Sequence, residues 1–308
     1  MENLTNFAEG VRLLDLDVVL DNPYKPMYLI PFGCVHADDP GFKEPLFKQC
    51  LTDLLKPQSW GIGCGDYRNF LRTTARKHLK SYTADDDSFR ELDSLVRGRV
   101  QQDYRAYYQG VQDRILLMGE GNHFHEFREG MSDTQYLCEL MGVPYGGKPC
   151  MLRLTVKYDA GKKRGLYTLR TFKILIHHGD WSGGNSRIGG DVNAAEMKAL
   201  GFDFDIYIFS HTHRLWGMHI PSLTIPSRGE IKVVERPRAF IRTGCFMTGY
   251  ETCGQRSYAQ KRLLHPTALG YVKLEITFKR PYNPVKYRRD VKGSGFSAAW
   301  QYAFRVSY

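Results

Sequence analysis

The sequence predicts an α/β fold, in which buried strands alternate with helices in the first half of the chain and strands prevail in the second. Short apolar runs that end at glycine or at polar residues are typical of buried strands in a parallel sheet. Such runs occur at 27–33, 58–64 and 115–118, and helical patterns separate them. The chain has 308 residues and shows neither a linker nor an internal repeat, so we expect one domain with a sizeable core.

The elements follow in order along the chain. A helical pattern near 42–56 follows the first strand, and residues 68–109 carry helix-like periodicity, which predicts two helices divided near the acidic turn at 85–87. The later segments comprise two strands joined by a turn at 161–165, a third run at 172–176, a helix near 191–200, a strand at 205–210 and several short strands from 215 to 278.

The composition predicts a soluble globular protein of the cytoplasm. Apolar residues make up 42% of the chain and charged residues 25%, and the mean hydropathy is -0.42. No apolar run approaches the roughly 18 residues that favour a membrane span, and the N-terminus lacks the basic and apolar regions of a signal peptide. Seven cysteines without a CxxC pair favour a reducing compartment over a disulfide-linked secreted protein.

The net charge of +10 favours a polyanionic partner, but it is concentrated at one end of the chain. Residues 279–308 hold seven basic residues and one acid, so this basic tail supplies +6 and the remaining residues supply +4. Its aromatic residues could stack on bases, although packing of the segment on the domain is the better interpretation. The charge alone favours a polyanion such as nucleic acid or a nucleotide, and the composition indicates no membrane partner.

The histidines indicate a metal site, because seven of the ten fall in four tight groups. Five strand-like runs end in potential ligands, and residues distant in sequence can converge beyond the carboxyl ends of the strands in an α/β sheet. Neutral imidazoles, carboxylates and an asparagine carbonyl suit divalent ions. The five clusters are Cys34-Val35-His36, Gly65-Asp66, Gly121-Asn122-His123, His177-His178-Gly179 and Ser210-His211-Thr212-His213.

The order of these clusters resembles that of the calcineurin-like metallophosphoesterases. Each cluster alone is a weak signal, whereas all five in the family's order over residues 34–213 form a specific pattern. The later segments HHGDWSGGNSRIGG, RTGCFMTGY and HPTALG resemble a subgroup often encoded by bacteriophages. The resemblance implies a four-layer α/β/β/α sandwich, in which a metallophosphoesterase domain at 1–278 carries a helical insertion at about 68–109 and precedes the basic tail at 279–308.

The resemblance also implies a role for each matching residue. Two divalent ions are expected, manganese or zinc, with iron, nickel or magnesium as alternatives. His123 matches the family's catalytic histidine, which is not a ligand and would act as general acid on the leaving oxygen. Asp66 matches the carboxylate that bridges the two ions. The other ligands would be Cys34, His36 and His213 for the first ion and Asn122, His178 and His211 for the second.

Two positions depart from the family's pattern. Cys34 stands where the first motif normally begins with aspartate. One interpretation is that its thiolate binds a soft ion such as zinc or iron, and the other is that Asp38 or Asp39 supplies the missing carboxylate. Phe124 follows His123 where the family commonly has an acidic residue, which leaves the orientation of His123 open.

Neighbouring residues are assigned by position. His177 and His178 are adjacent and would point to opposite faces of a strand, so one ligand is expected there, and His178 is chosen because it precedes the glycine. Asn185 and Arg187 are candidate substrate-binding residues, because they lie in a glycine-rich segment whose amides could approach a phosphate. The alternative is a simple flexible loop. His125 is interpreted as a neighbour of the site.

Together these observations predict a metal-dependent phosphoesterase that attacks its substrate with a metal-bound hydroxide. A phosphodiesterase acting on nucleic acid or nucleotides is the leading hypothesis. One alternative is a phosphomonoesterase acting on a phosphoprotein or a small metabolite. Another is a non-catalytic binding protein on a degenerate metallophosphoesterase scaffold, with Cys34 marking the loss of an ion. The sequence assigns no oligomeric state.

Overall fold

The computed structural model shows how these segments assemble. It describes residues 5–7, 11–70, 86–161, 165–179, 190–199, 201–224, 233–250, 266–279 and 301–308. The predicted substrate-binding residues Asn185 and Arg187 therefore lie outside the described residues, as does the part of the helical insertion at 71–85.

The described residues contain thirteen strands and four α-helices. The helices are α1 (Glu44–Leu54), α2 (Asp86–Asp103), α3 (Asp133–Met141) and α4 (Gly190–Ala199). The strands are β1 (Thr5–Phe7), β2 (Val11–Leu20), β3 (Met27–Phe32), β4 (Ser59–Cys64), β5 (Ile115–Gly119), β6 (Tyr145–Gly147), β7 (Cys150–Asp159), β8 (Leu166–His177), β9 (Ile206–Phe209), β10 (Leu215–Thr224), β11 (Val234–Thr243), β12 (Lys273–Lys279) and β13 (Gln301–Ser307). None of the described helices combines the length and apolarity that crossing a bilayer requires.

The strands form two mixed sheets. The first sheet has the order β1-β2-β7-β8-β9-β11-β10, and β8, β9 and β11 run parallel within it. The second sheet has the order β13-β12-β3-β4-β5-β6, and β3 to β6 run parallel. All six residues of β4 are buried, as expected for a central parallel strand that is covered on both faces.

Apolar side chains of both sheets meet in one core between them. This core includes Leu29 of β3, Leu154 of β7 and Ile208 of β9, all fully buried. A second cluster packs α1, α2 and α3 against the other face of the second sheet, around Phe47 and Phe32. On the outer face of the first sheet, a smaller cluster includes the end of α4. The order of layers is helix, sheet, sheet, helix, so the predicted four-layer α/β/β/α sandwich is confirmed.

Some segments differ from their predicted form. The run at 172–176 is not a separate strand, because β8 extends from residue 166 to 177 and pairs with β7 along its length. The N-terminal strand β2, which the sequence patterns left unassigned, pairs in parallel with β7. The last residues of the basic tail form β13, which pairs with β12. The division at residue 278 stays a prediction.

Candidate metal centre

Five strand ends from both sheets carry the predicted ligands to one place. Cys34 follows β3, Asp66 follows β4, and Asn122 and His123 follow β5, all at the carboxyl ends of parallel strands in the second sheet. The turns after β8 and β9 in the first sheet carry the other ligands. The sulfur of Cys34 joins the two sets, since it accepts a hydrogen bond from the backbone N–H of His211 over 3.3 Å.

The turns that carry the ligands have unusual backbone conformations. Among the residues that the structure describes, six that are not glycine have a positive φ angle, and five of these are predicted ligands. Those five are Cys34, His36, Asp66, His211 and His213, with φ between 50° and 73°. This region costs an ordinary residue about 1 kcal/mol or more, so its concentration here points to a functional constraint.

The first ligand cluster consists of Cys34, His36 and His213, whose potential ligand atoms all lie within 4.8 Å of one another. The Nε2 atoms of the two histidines are 3.2 Å apart. Nδ1 of His36 lies 2.7 Å from Asn69 Oδ1, which can only accept and therefore holds the proton on Nδ1. The lone pair of His36 Nε2 then faces the cluster, which is the arrangement typical of a metal-binding histidine.

The second ligand cluster consists of Cys34, Asp66 and His178. Nδ1 of His178 lies 2.7 Å from the backbone carbonyl of Cys64, so its proton is also held on the side away from the cluster. Nε2 of His178 is 2.9 Å from Asp66 Oδ2. Asp66 Oδ1 accepts the backbone N–H groups of Asn122 and His123 over 2.8 and 2.9 Å, which fixes the carboxylate in the centre.

The side-chain amide of Asn122 lies beside this second cluster. Its amide oxygen faces Asp66 Oδ2 at 2.7 Å and His178 Nε2 at 3.2 Å, and both of those atoms are acceptors when the imidazole proton is on Nδ1. Its amide nitrogen lies 3.3 Å from His211 Nδ1. Three acceptors that face one another need either a rotated amide or a cation between them, and the donor set of oxygen, carboxylate and imidazole fits a divalent cation.

The electrostatic environment favours the metal-binding protonation states of the histidines and Asp66, whereas burial raises the pKa of the Cys34 thiol well above its usual range. Burial lowers the pKa of His36, and burial together with the neighbouring His36 lowers that of His213 to about 3. Burial and His178 lower the pKa of His211 to about 4. Burial opposes ionisation of Asp66, but the charge and hydrogen bond that His178 supplies in its protonated form outweigh it and hold the pKa of Asp66 well below its usual range. Neutral imidazoles around an ionised carboxylate are ready to bind a metal.

The two candidates for replacing the family's first aspartate are engaged elsewhere. Asp38 Oδ1 accepts the backbone N–H of Asn69 over 2.7 Å, and Asp39 Oδ2 accepts from Asn69 Nδ2 over 3.3 Å. The other oxygen of Asp39 accepts the N–H of Gly41. Neither carboxylate belongs to the two ligand clusters found among the described residues, whereas Cys34 belongs to both. The geometry therefore favours Cys34 over these aspartates as the ligand.

His123 lies beside the ligand clusters without joining them. Its ring packs edge-on against that of His36, with 5.5 Å between the ring centroids. His177 is half-buried and accepts the N–H of Gly179 through its own Nδ1, so the choice of His178 as the residue of this pair that faces the cluster agrees with the geometry. Phe124 is half-buried beside His123.

The sequence patterns did not indicate how the turn with His123 is anchored. His125 is buried, and its Nε2 lies 2.6 Å from Asp93 Oδ1 of α2. Its backbone N–H donates to Asp133 over 2.6 Å at the start of α3. The helical insertion thus holds the turn that follows His123. The sequence offered no sign of this, because Asp93 is one of several acids in a charged helix.

The sequence patterns did not identify Asn69 and Lys148 either. Asn69 orients His36, and its position three residues after Asp66 is the signal that could have indicated it. Lys148 is half-buried, and its charge adds to the lowering of the pKa of His211 behind burial and His178. Lys148 therefore brings a positive charge to the edge of the site.

Replacing Asp93 with asparagine is expected to destabilise the protein by about 1–3 kcal/mol, because it removes the charged partner of the buried His125. The free energy of unfolding in urea measures this. Glu129→Gln is the matched control, since the ion pair of Glu129 with Arg97 is partly exposed and its loss is expected to change stability by less than about 0.5 kcal/mol. Equal effects of the two changes would contradict the anchoring role.

No protein-family model matches the chain, and no curated protein matches it. Several solved structures, in contrast, are similar to the chain. The chain is similar to a conserved protein of Streptococcus pneumoniae described as a predicted phosphoesterase, with 10% identity and a TM-score of 0.29 over 91% of this chain and 98% of that one. It is also similar to Vps29 of Entamoeba histolytica in complex with zinc, with 13% identity and a TM-score of 0.31 over 91% and 99% of the two chains. A third similar structure is Vps29 of Chaetomium thermophilum, with 9% identity and a TM-score of 0.31 over 91% of this chain and 95% of that one.

Proposed function

We propose that the protein is a metal-dependent phosphoesterase with a dinuclear centre, acting on a phosphodiester of nucleic acid or a nucleotide. The observation that carries the proposal is the convergence of two ligand clusters that share Cys34, with the side-chain amide of Asn122 beside Asp66 and His178. We place the protein in the phage-type subgroup of the calcineurin-like enzymes and in the cytoplasm. The six cysteines of the described residues are all free, which supports a reducing compartment.

Cys34, His36 and His213 would hold one ion, and Asn122, His178 and His211 the other, with Asp66 between them. Such ions supply Lewis acidity, which activates water and neutralises charge on the phosphoryl group. The protein keeps the ligands oriented through Asn69 and the Cys64 carbonyl, which fix the protons of His36 and His178. The backbone bonds to Asp66 Oδ1 hold the Asn122 and His123 turn against the same carboxylate.

His123 would protonate the leaving oxygen as the phosphoester bond breaks. Its backbone N–H is bonded to Asp66, and its ring packs on that of His36, so it is positioned beside both ligand clusters. Lys148 would attract the phosphate of the substrate, since its charge already acts on His211. Asn185 and Arg187 remain proposed contacts to the phosphate.

The basic tail contributes less to the substrate proposal than its charge suggests. Strand β12 runs antiparallel to β3 and pairs Ile276 with Met27, the first residue of β3. Lys279, where the tail begins, lies farther along β12, at the end of the sheet opposite to Cys34. The support for a nucleic acid or nucleotide is therefore the +4 charge of the residues before the tail and the resemblance of the motifs.

The proposal is tested with two aryl substrates. Protein purified without chelator is expected to hydrolyse bis(p-nitrophenyl) phosphate in preference to p-nitrophenyl phosphate. Activity should disappear on chelation and return with zinc or manganese, and metal analysis should give two ions per chain. The opposite preference would indicate a phosphomonoesterase. Less than one ion per chain, unchanged by added zinc or manganese, would indicate a binding protein without activity.

Replacing Cys34 with aspartate is expected to change which metal supports activity. A carboxylate is a harder ligand than a thiolate, so manganese-dependent activity should rise relative to zinc-dependent activity. The ratio of kcat/KM with the two metals measures the effect. Cys50→Ser is the control, because Cys50 is a fully buried cysteine of α1 outside both ligand clusters. An unchanged ratio in Cys34→Asp would argue against Cys34 as a ligand.

A further inference from the structure

The sulfur of Cys34 is the first member of a chain of buried hydrogen-bonding groups. Ser210 Oγ lies 3.2 Å from Sγ, and the backbone N–H of His211 donates to Sγ over 3.3 Å. Ser210 Oγ in turn lies 2.8 Å from Thr243 Oγ1, whose hydroxyl also reaches the carbonyl of Gly244 at 3.4 Å. Ser210 is 2% exposed and Thr243 is fully buried, so these hydroxyls find their partners inside the protein.

Ser210 is held firmly against the turn that carries Cys34. A Cβ atom added to Gly33 would lie 2.6 Å from Ser210 Oγ, so the hydroxyl occupies the space that a side chain would otherwise fill. The backbone of Ser210 is bonded on both sides, since its N–H donates to the carbonyl of His178 over 3.1 Å and its carbonyl accepts from Arg242 over 2.6 Å. The hydroxyl is thus fixed between Cys34 and Thr243.

When Cys34 binds a metal, the hydrogens that each group carries determine which group donates in each of these hydrogen bonds. A metal-bound cysteine is a thiolate, which has no proton and can only accept hydrogen bonds. Ser210 therefore donates to Sγ, and its oxygen accepts from Thr243 over 2.8 Å, so the single hydroxyl hydrogen of Thr243 is then not shared with the more distant Gly244 carbonyl. In this arrangement Sγ receives one hydrogen bond from Ser210 and one from His211, and no hydroxyl hydrogen in the chain lacks an acceptor.

We propose that Ser210 and Thr243 are positioning residues for the metal centre, whose hydroxyls orient the sulfur of Cys34 and adjust its electron donation to a soft ion. The inference rests on the proposed metal site and goes beyond it, because neither residue is among the proposed ligands or the proposed substrate contacts. Hydrogen bonds to a ligand atom hold its lone pairs in place and lower their energy, and the loss of such a partner weakens metal binding about 10- to 100-fold.

Cobalt(II) is the probe that reports on the sulfur directly. A cobalt ion bound by thiolate shows a charge-transfer band in the near ultraviolet, and the energy of this band falls when the sulfur loses hydrogen bonds. We expect the band in the cobalt-loaded protein and its absence in Cys34→Ser. In Ser210→Ala the band should move to longer wavelength, and cobalt affinity should fall about tenfold or more. Thr243→Val should move the band in the same direction by a smaller amount.

The matched control is Thr155→Val, since Thr155 Oγ1 lies 3.2 Å from Thr171 Oγ1 in a comparable hydroxyl pair between β7 and β8. It should leave the band unmoved. A band that stays in place in both Ser210→Ala and Thr243→Val at saturating cobalt overturns the inference, because a merely structural role changes affinity without changing band energy. If the cobalt-loaded protein hydrolysed the diester but showed no charge-transfer band, this inference would be overturned and the proposed function would stand. If an inactive protein showed a band that moves in the variants, the inference would be supported and the proposed function contradicted.

Discussion

Replacing His123 with alanine is expected to lower kcat for diester hydrolysis by about 10²- to 10⁴-fold, the usual contribution of a general acid. Metal content should not change, because His123 stands outside the ligand clusters and its hydrogen bond to Asp66 comes from the backbone, which alanine retains. Steady-state kinetics and metal analysis on the same preparation measure both quantities.

The control for this change is His219→Ala, since His219 is an exposed histidine on β10. Its kcat should match that of the unmodified protein. A leaving group that needs no proton offers a second check, because the defect of His123→Ala should shrink as the pKa of the leaving group falls. An unchanged rate with a poor leaving group would remove His123 from the mechanism.

Replacing Gly121 with alanine is expected to disable the centre through steric contact alone. A Cβ atom at this position would collide with Oδ1 and the backbone nitrogen of Asp66. The oxygen is held by two backbone hydrogen bonds and the nitrogen belongs to the main chain, so neither can move aside easily. The turn must shift and displace Asp66, Asn122 and His123 together. We expect bound metal to fall below two ions per chain, activity to fall at least about a hundredfold, and stability to fall by about 1–3 kcal/mol.

Gly98→Ala is the matched control, because Gly98 lies in α2 and a Cβ atom added there would meet only open space. Alanine there should stabilise the helix by up to about 1 kcal/mol and leave metal content unchanged. Metal analysis, diester kinetics and urea unfolding separate the two glycines. Full metal content in Gly121→Ala would contradict the placement of Asp66 at the centre.

The sequence predicted the parts of the fold in which local pattern and burial agree. The apolar runs of β3, β4, β5 and β9 are buried on both faces, so they are visible without knowledge of their partners. Strand β2 has no such pattern, because it alternates exposed and buried residues and gains its place only by pairing with β7, more than a hundred residues away. Pairing over that distance leaves no local signal.

The residues of the site also divide into those with a local sequence signal and those without one. His36 and Asp66 could be identified because each lies within four residues of the end of a strand and matches a motif. Asn69 and Asp93 act only through contacts with other residues, and such contacts depend on how distant turns meet. Side chains that orient a ligand have no fixed spacing from it, which is why the sequence did not indicate them.

The left-handed turns have a consequence for the design of related sites. At each of the five positions, glycine would be the easiest residue for the backbone, yet a ligand side chain occupies it. Grafting the same side chains onto strand ends with ordinary backbone angles would aim them elsewhere. A transplant of this centre into another scaffold must therefore carry the turns as units, together with the neighbouring glycines such as Gly65 and Gly121 that let those turns pack against each other.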